Sequence, residues 1–126
     1  MSYVLGLDFG GTKLAAGIVD TATGQVIVSG RCATPAGGAT YGFAAILALA
    51  DGLRAQVATP ITAVGVSFGG PVEADGRTVR LSMHIPGWEG FALAARCEAH
   101  FGVPCVIAND ADAAGLAEYR FGAGQG

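Results

Sequence analysis

The spacing of apolar residues changes several times along this chain, and each change marks an element. Tyr3-Val4-Leu5-Gly6-Leu7 is a short β-rich run that predicts a first strand, ending in the turn Asp8-Phe9-Gly10-Gly11-Thr12. Leu14 to Val19 predicts a second strand, although its alanines also suit a helix. Asp20 to Gly24 is rich in turn residues, and Gln25 to Cys32, with Val26 and Val28 alternating, predicts a third strand. Loops this short predict that the three strands form an antiparallel meander. Past Pro35-Ala36-Gly37-Gly38 the period becomes helical: Phe43, Ile46, Leu47, Ala50, Leu53 and Val57 share one face of a long amphipathic helix. Ile61 to Phe68 reads as a buried strand, and Gly69 to Gly90 as irregular and polar, with a small hairpin around Asp75-Gly76. Leu93, Cys97 and Phe101 stand four apart on a second helix closed by Gly102 and Pro104. Val103 to Ala108 predicts a fifth strand, and Asn109-Asp110 opens a third helix ending near Gly122.

The order is therefore βββαβαβα. A meander followed by two strands reached through helical crossovers predicts an α/β fold, with a mixed five-stranded sheet and helices on both faces. That order is the one expected of a ribonuclease H-like lobe of the actin/hexokinase architecture. The Gly-rich tail from Phe121 to Gly126 has little apolar content and reads as a connection into a further lobe.

Composition narrows the function classes. Apolar residues make up 52% of the 126 and charged residues 13%, which is the balance of a chain with a core rather than a disordered one. The formal net charge is −3 and Lys13 is the sole lysine, so the phosphate-neutralising patch of a nucleic-acid binder is not expected. Cys32, Cys97 and Cys105 show no Cys-x-x-Cys spacing and are expected to be buried free thiols of a cytoplasmic protein. No basic leader and no apolar run of spanning length is present, so neither a signal peptide nor a membrane partner is expected.

Four segments carry candidate chemistry. In Asp8-Phe9-Gly10-Gly11-Thr12-Lys13, a Gly-Gly turn between strands can present backbone N–H groups to phosphate oxygens, with Thr12 adding a hydroxyl and Lys13 a charge. Asp8 can hold Mg²⁺ through water. An ordinary hairpin turn is the alternative. The Walker order Gly-Lys-Ser/Thr is reversed here, and the dinucleotide fingerprint is lacking. Gly69-Gly70, at the end of the fourth strand, sits where ligands bind in α/β sheets; a plain tight turn is the alternative. His84-Ile85-Pro86-Gly87-Trp88 holds the single Trp, whose ring can stack on a sugar or plug the core. Asn109 can donate to one hydroxyl and accept from another, and Asp110 can take the proton of an attacking hydroxyl. Either residue also suits a helix N-cap.

These segments together resemble the ROK family, the repressor and sugar kinase group that includes bacterial glucokinases. Asp8-x-Gly10-Gly11-Thr12-Lys13 resembles its first phosphate motif, Phe68-Gly69-Gly70-Pro71-Val72 its Gly-Pro-Val turn, Ile85-Pro86-Gly87-Trp88 its Trp loop, and Asn109-Asp110-Ala111-Asp112 the segment holding its catalytic base. The resemblance implies phosphorylation of a hexose or related sugar by ATP and Mg²⁺. Asp110 would be the base, Gly69, Gly70, His84, Asn109 and Asp110 would contact sugar, and Asp8, Gly10, Gly11, Thr12 and Lys13 would face the phosphates. Residues 1–126 would then be the N-terminal sugar-binding lobe of a two-lobe, homo-oligomeric kinase, inactive by itself. Any zinc site would belong to the second lobe. Two other readings stay open: a sugar-responsive transcriptional regulator, which would carry a DNA-binding segment ahead of the phosphate motif, and a non-catalytic sugar-binding module. His84 stands where the family often has Asn, and Asp112 where it often has Asn.

Overall fold

The computed structural model describes residues 2–10, 12–68, 77 and 91–109. Three strands come first: β1 (Tyr3–Phe9), β2 (Lys13–Asp20) and β3 (Val26–Ala33). Helix α1 (Ala39–Arg54), strand β4 (Ile61–Phe68), helix α2 (Leu93–Phe101) and strand β5 (Cys105–Asn109) follow. The sheet order is β3-β2-β1-β4-β5. β1–β2 and β2–β3 are antiparallel, as the short connections predict, whereas β1–β4 and β4–β5 are parallel. The expected third helix from Asp110 onward and, apart from Arg77, the irregular Gly69 to Gly90 segment with its hairpin around Asp75-Gly76 lie outside the described residues.

Alternation sorts the strand residues onto two faces. Leu5, Leu7 and Phe9 join Leu14, Ala16 and Ile18, then Val64 and Val66, then Cys105 and Ile107, in one buried cluster with both helices. From α1 that cluster takes Phe43, Ile46, Ala50 and Leu53, and from α2 Leu93, Cys97 and Phe101. Both described helices thus cover the same face of the sheet. Val4, Ala63 and Val106 form a smaller buried cluster on the opposite face, with Val19 against it. Each fully buried large side chain contributes roughly 1.5–3 kcal/mol, so the first cluster dominates the stability of the described residues.

Boundaries differ from the sequence reading for local reasons. β1 runs two residues past Leu7, so Asp8 is paired inside a strand, opposite Ala15, rather than free in a turn. α1 ends at Arg54, although Val57 still packs on the core, because the Gln56 and Val57 N–H groups bond the carbonyls of Leu53 and Arg54 in a tightened turn. β5 starts at Cys105 rather than Val103, since Pro104 has no N–H to give a ladder. Its carbonyl instead accepts the Val64 N–H at 2.9 Å. Cys97 and Cys105 are buried free thiols, as expected, while Cys32 on β3 is only partly covered. A hydrogen bond with Cys97, and then burial, push the Cys105 thiol upward, which keeps it protonated. Among the described residues, no helix is long and apolar enough to cross a membrane.

Two glycines separate space from backbone conformation. Neither Gly52 in α1 nor Gly102 at the end of α2 has any atom within 4 Å of an added Cβ. Gly102, however, is left-handed (φ 73°) and its N–H closes the helix on the Glu98 carbonyl at 2.8 Å. Gly52→Ala should therefore stabilise the protein by about 0.5–1 kcal/mol. Gly102→Ala should destabilise it, on the order of 1 kcal/mol. Chemical denaturation of the two variants checks the opposite signs.

Candidate functional site

Because β1, β4 and β5 run parallel, their C-terminal ends meet at one edge of the sheet. Asp8 pairs with Ser67 and Ser67 with Ala108; in the next row Phe9 pairs with Phe68 and Phe68 with Asn109. Strands stand about 4.8 Å apart, so the backbones of Phe9 and Asn109 are roughly 10 Å from each other. Asp110, Gly69, Gly70 and His84 lie outside the described residues, but the first three follow directly from the strands that end in Asn109 and Phe68. The edge thus collects the sequence positions of three of the four candidate segments.

The turn after β1 is tighter than the sequence suggests. The Gly10 N–H bonds the Lys13 carbonyl at 3.0 Å, so it is not a bare donor for phosphate. Gly10 is not left-handed either. Glycine is needed because a Cβ there would meet the Lys13 carbonyl oxygen at 2.7 Å, closer than real contacts allow. Gly11 lies outside the described residues, and Thr12 and Lys13 are exposed. Asp8 is exposed on the face that carries Val4, away from both helices. Lys13 occupies the diagonal position on that face, about 7–8 Å along the pairing. Among the described residues, neither Asp8 nor Lys13 makes an ion pair. A solvated carboxylate beside a short turn fits water-mediated Mg²⁺ binding.

Two neighbours of the turn were not singled out from the sequence. Thr34 fastens the turn from the end of β3: its hydroxyl donates to the Gly10 carbonyl at 2.8 Å and its N–H to the Thr12 carbonyl at 2.9 Å. Ser67, buried beside Asp8, is one of the few buried polar residues among those described. The only signal for Thr34 was its place between a strand and Pro35, and contact with a turn 24 residues earlier has no local signature.

The far end of the sheet holds a different polar group. Asp51 bonds Arg54 at 3.1 Å and His100 at 2.8 Å, beside a groove of about 350 Å³ that runs to Pro60 and Ile61. The groove lies at the start of β4, and ligands in parallel sheets bind beyond strand C-terminal ends. Its exposed ion pairs are worth little in stability.

A five-stranded mixed sheet in this order, with Asp8 and Asn109 at the C-terminal ends of parallel strands, defines a lobe of the actin/hexokinase type. A model of the ROK family matches residues 4–126, and the chain belongs to that family. It is 38% identical over 127 residues to the glucokinase of Streptomyces coelicolor, covering 100% of this chain and 38% of that protein. It is 36% identical over 121 residues to the N-acetylmannosamine kinase of Yersinia pseudotuberculosis, covering 95% of this chain and 40% of that protein. A ROK family glucokinase from Streptomyces griseus, solved in complex with glucose and AMPPNP, superimposes with a TM-score of 0.78 at 38% identity, over 99% of this chain and 38% of that one. The chain therefore spans about two fifths of the length of these relatives.

Thr34→Val keeps the shape of the side chain and removes the hydroxyl donor, leaving the Gly10 carbonyl without it. Stability should fall by about 1 kcal/mol. Amide exchange over residues 10–14 should speed up more than exchange in α1. Unchanged exchange in the turn would mean that Thr34 does not hold it.

Proposed function

We propose that the full-length protein transfers the γ-phosphoryl group of MgATP to a hydroxyl of a hexose or related sugar, and that residues 1–126 are its N-terminal, sugar-binding lobe. The observation that carries the reading is the placement of Asp8, Phe68 and Asn109 in two adjacent rows at one sheet edge, in a chain whose relatives include a glucokinase and an N-acetylmannosamine kinase. Gly11, Thr12 and Lys13 would face the phosphates. Gly10 serves by shape rather than as a donor, because its N–H is engaged within the turn. Asp8 would hold Mg²⁺ through water, and the ion when bound would neutralise phosphate charge. Asn109, His84 and the Gly69-Gly70 turn would hold the sugar. Asp110 would accept the proton of the hydroxyl as that oxygen attacks phosphorus, so that the alkoxide never forms free. Closure of a second lobe would exclude water, which would otherwise compete as acceptor. The 1–126 chain by itself should give no sugar-dependent ADP release, since it spans about two fifths of its kinase relatives.

Asp110→Asn in the full-length protein separates base from cap, because Asn caps a helix nearly as well as Asp. If Asp110 is the base, kcat should fall at least about a hundredfold. Sugar binding by calorimetry and the melting temperature should stay close to those of the parent. Turnover near the parental rate would remove Asp110 from the mechanism and leave it a cap.

A further inference from the structure

Glu98 occupies a junction that the proposed chemistry does not use. It lies on α2, partly buried, and its two carboxylate oxygens go to different places. One accepts the Cys105 N–H at 3.1 Å; the other pairs with the Arg77 guanidinium. The Glu98 backbone carbonyl closes α2 through the Gly102 N–H. Arg77 is tied a second time, since its carbonyl accepts the Ala94 N–H at 3.1 Å in the first turn of α2. The Arg77 guanidinium and the Cys105 N–H hold the Glu98 carboxyl below the usual carboxylate range, against the opposing effect of burial.

The Cys105 N–H is the donor that β5 cannot use within the sheet. β5 is the outer strand of the described sheet, paired with β4 alone. The Pro104 carbonyl faces β4, where it accepts the Val64 N–H, and so the next N–H in the chain points to the open side. Glu98 accepts that bond. The same carboxylate thereby joins Arg77, which precedes the His84 segment, to the strand that ends in Asn109. Arg77 and the strand that ends in Asn109, 32 residues apart from Arg77 to Asn109, are thus fastened to one side chain.

We propose that Glu98 is a positioning residue for sugar binding: by bridging Arg77 and the open edge of β5 it fixes the strand that delivers Asn109. The proposal rests on the sugar kinase reading and adds a residue that does not touch the substrate. An Arg–carboxylate pair that only stabilised the fold would change melting without changing how the protein meets sugar.

The test uses the full-length protein, with steady-state kinetics against the best sugar of a panel and amide exchange of the peptide covering residues 103–109. Glu98→Gln keeps an acceptor for the Cys105 N–H but loses the charge that holds Arg77. Arg77→Ala removes the other partner, and Arg77→Lys restores a cation. Glu98→Gln and Arg77→Ala should each raise the sugar KM on the order of tenfold, the scale expected of a displaced binding group. The ATP KM should hold. The double variant should be no worse than Arg77→Ala alone, because Glu98→Gln acts through the same bridge. Arg77→Lys should recover part of the loss. Parental sugar KM in both single variants would overturn the proposal, whatever their melting temperatures. If the parent phosphorylates no sugar, the kinase reading fails separately; the bridge is then decided by exchange over 103–109, which should quicken in both variants and would refute the bridge if unchanged.

Discussion

The parallel register of β1, β4 and β5 is the constraint on which the rest of the lobe depends. Asp8, Ser67 and Ala108 form one row and Phe9, Phe68 and Asn109 the next. A slip of one residue in either pairing would turn a strand over and send its core side chains to the other face. Leu5, Leu7, Val64, Val66, Cys105 and Ile107 all lie in the cluster beneath α1 and α2, so that slip would expose them. The hydrophobic effect thus sets the register, and the register sets which residues share the edge.

At the edge itself, small groups and hydrogen bonds take over from apolar burial. Gly10 is there because no other residue fits against the Lys13 carbonyl, and Thr34 reaches over from the end of β3 to hold the same turn. Glu98 does comparable work at the other side of the sheet, where β5 has no neighbouring strand to bond among the described residues. Both devices satisfy backbone groups that the sheet leaves over. They also leave Asp8 and Lys13 solvated and without ion pairs among the described residues.

Much of this was legible in the sequence, because it was local. The helical spacing from Phe43 to Leu53 and the apolar run from Ile61 to Phe68 identify α1 and β4, and the short connections identify the meander. Gly102 marks the end of α2 through its left-handed backbone. What escaped was non-local. The extension of β1 through Asp8 and Phe9 depends on partners in β2 and β4, and polar Asp8 gives no strand signal. The use of the Gly10 N–H within its own turn, the staple from Thr34, and the bridge at Glu98 each depend on distances that no window of sequence contains. The motif residues fall at predicted strand ends, and the geometry adds that the Gly10 N–H is engaged by the Lys13 carbonyl rather than bare.

Binding at the C-terminal edge of the parallel strands is tested most directly by amide exchange on the full-length protein, free and with AMPPNP plus a sugar it phosphorylates. Protection should rise in peptides covering residues 8–14, 66–70 and 106–112. The groove at 51–61, at the opposite end of the sheet, should exchange as in the free protein. Protection confined to 51–61, with the three edge segments unchanged, would contradict the placement of the site.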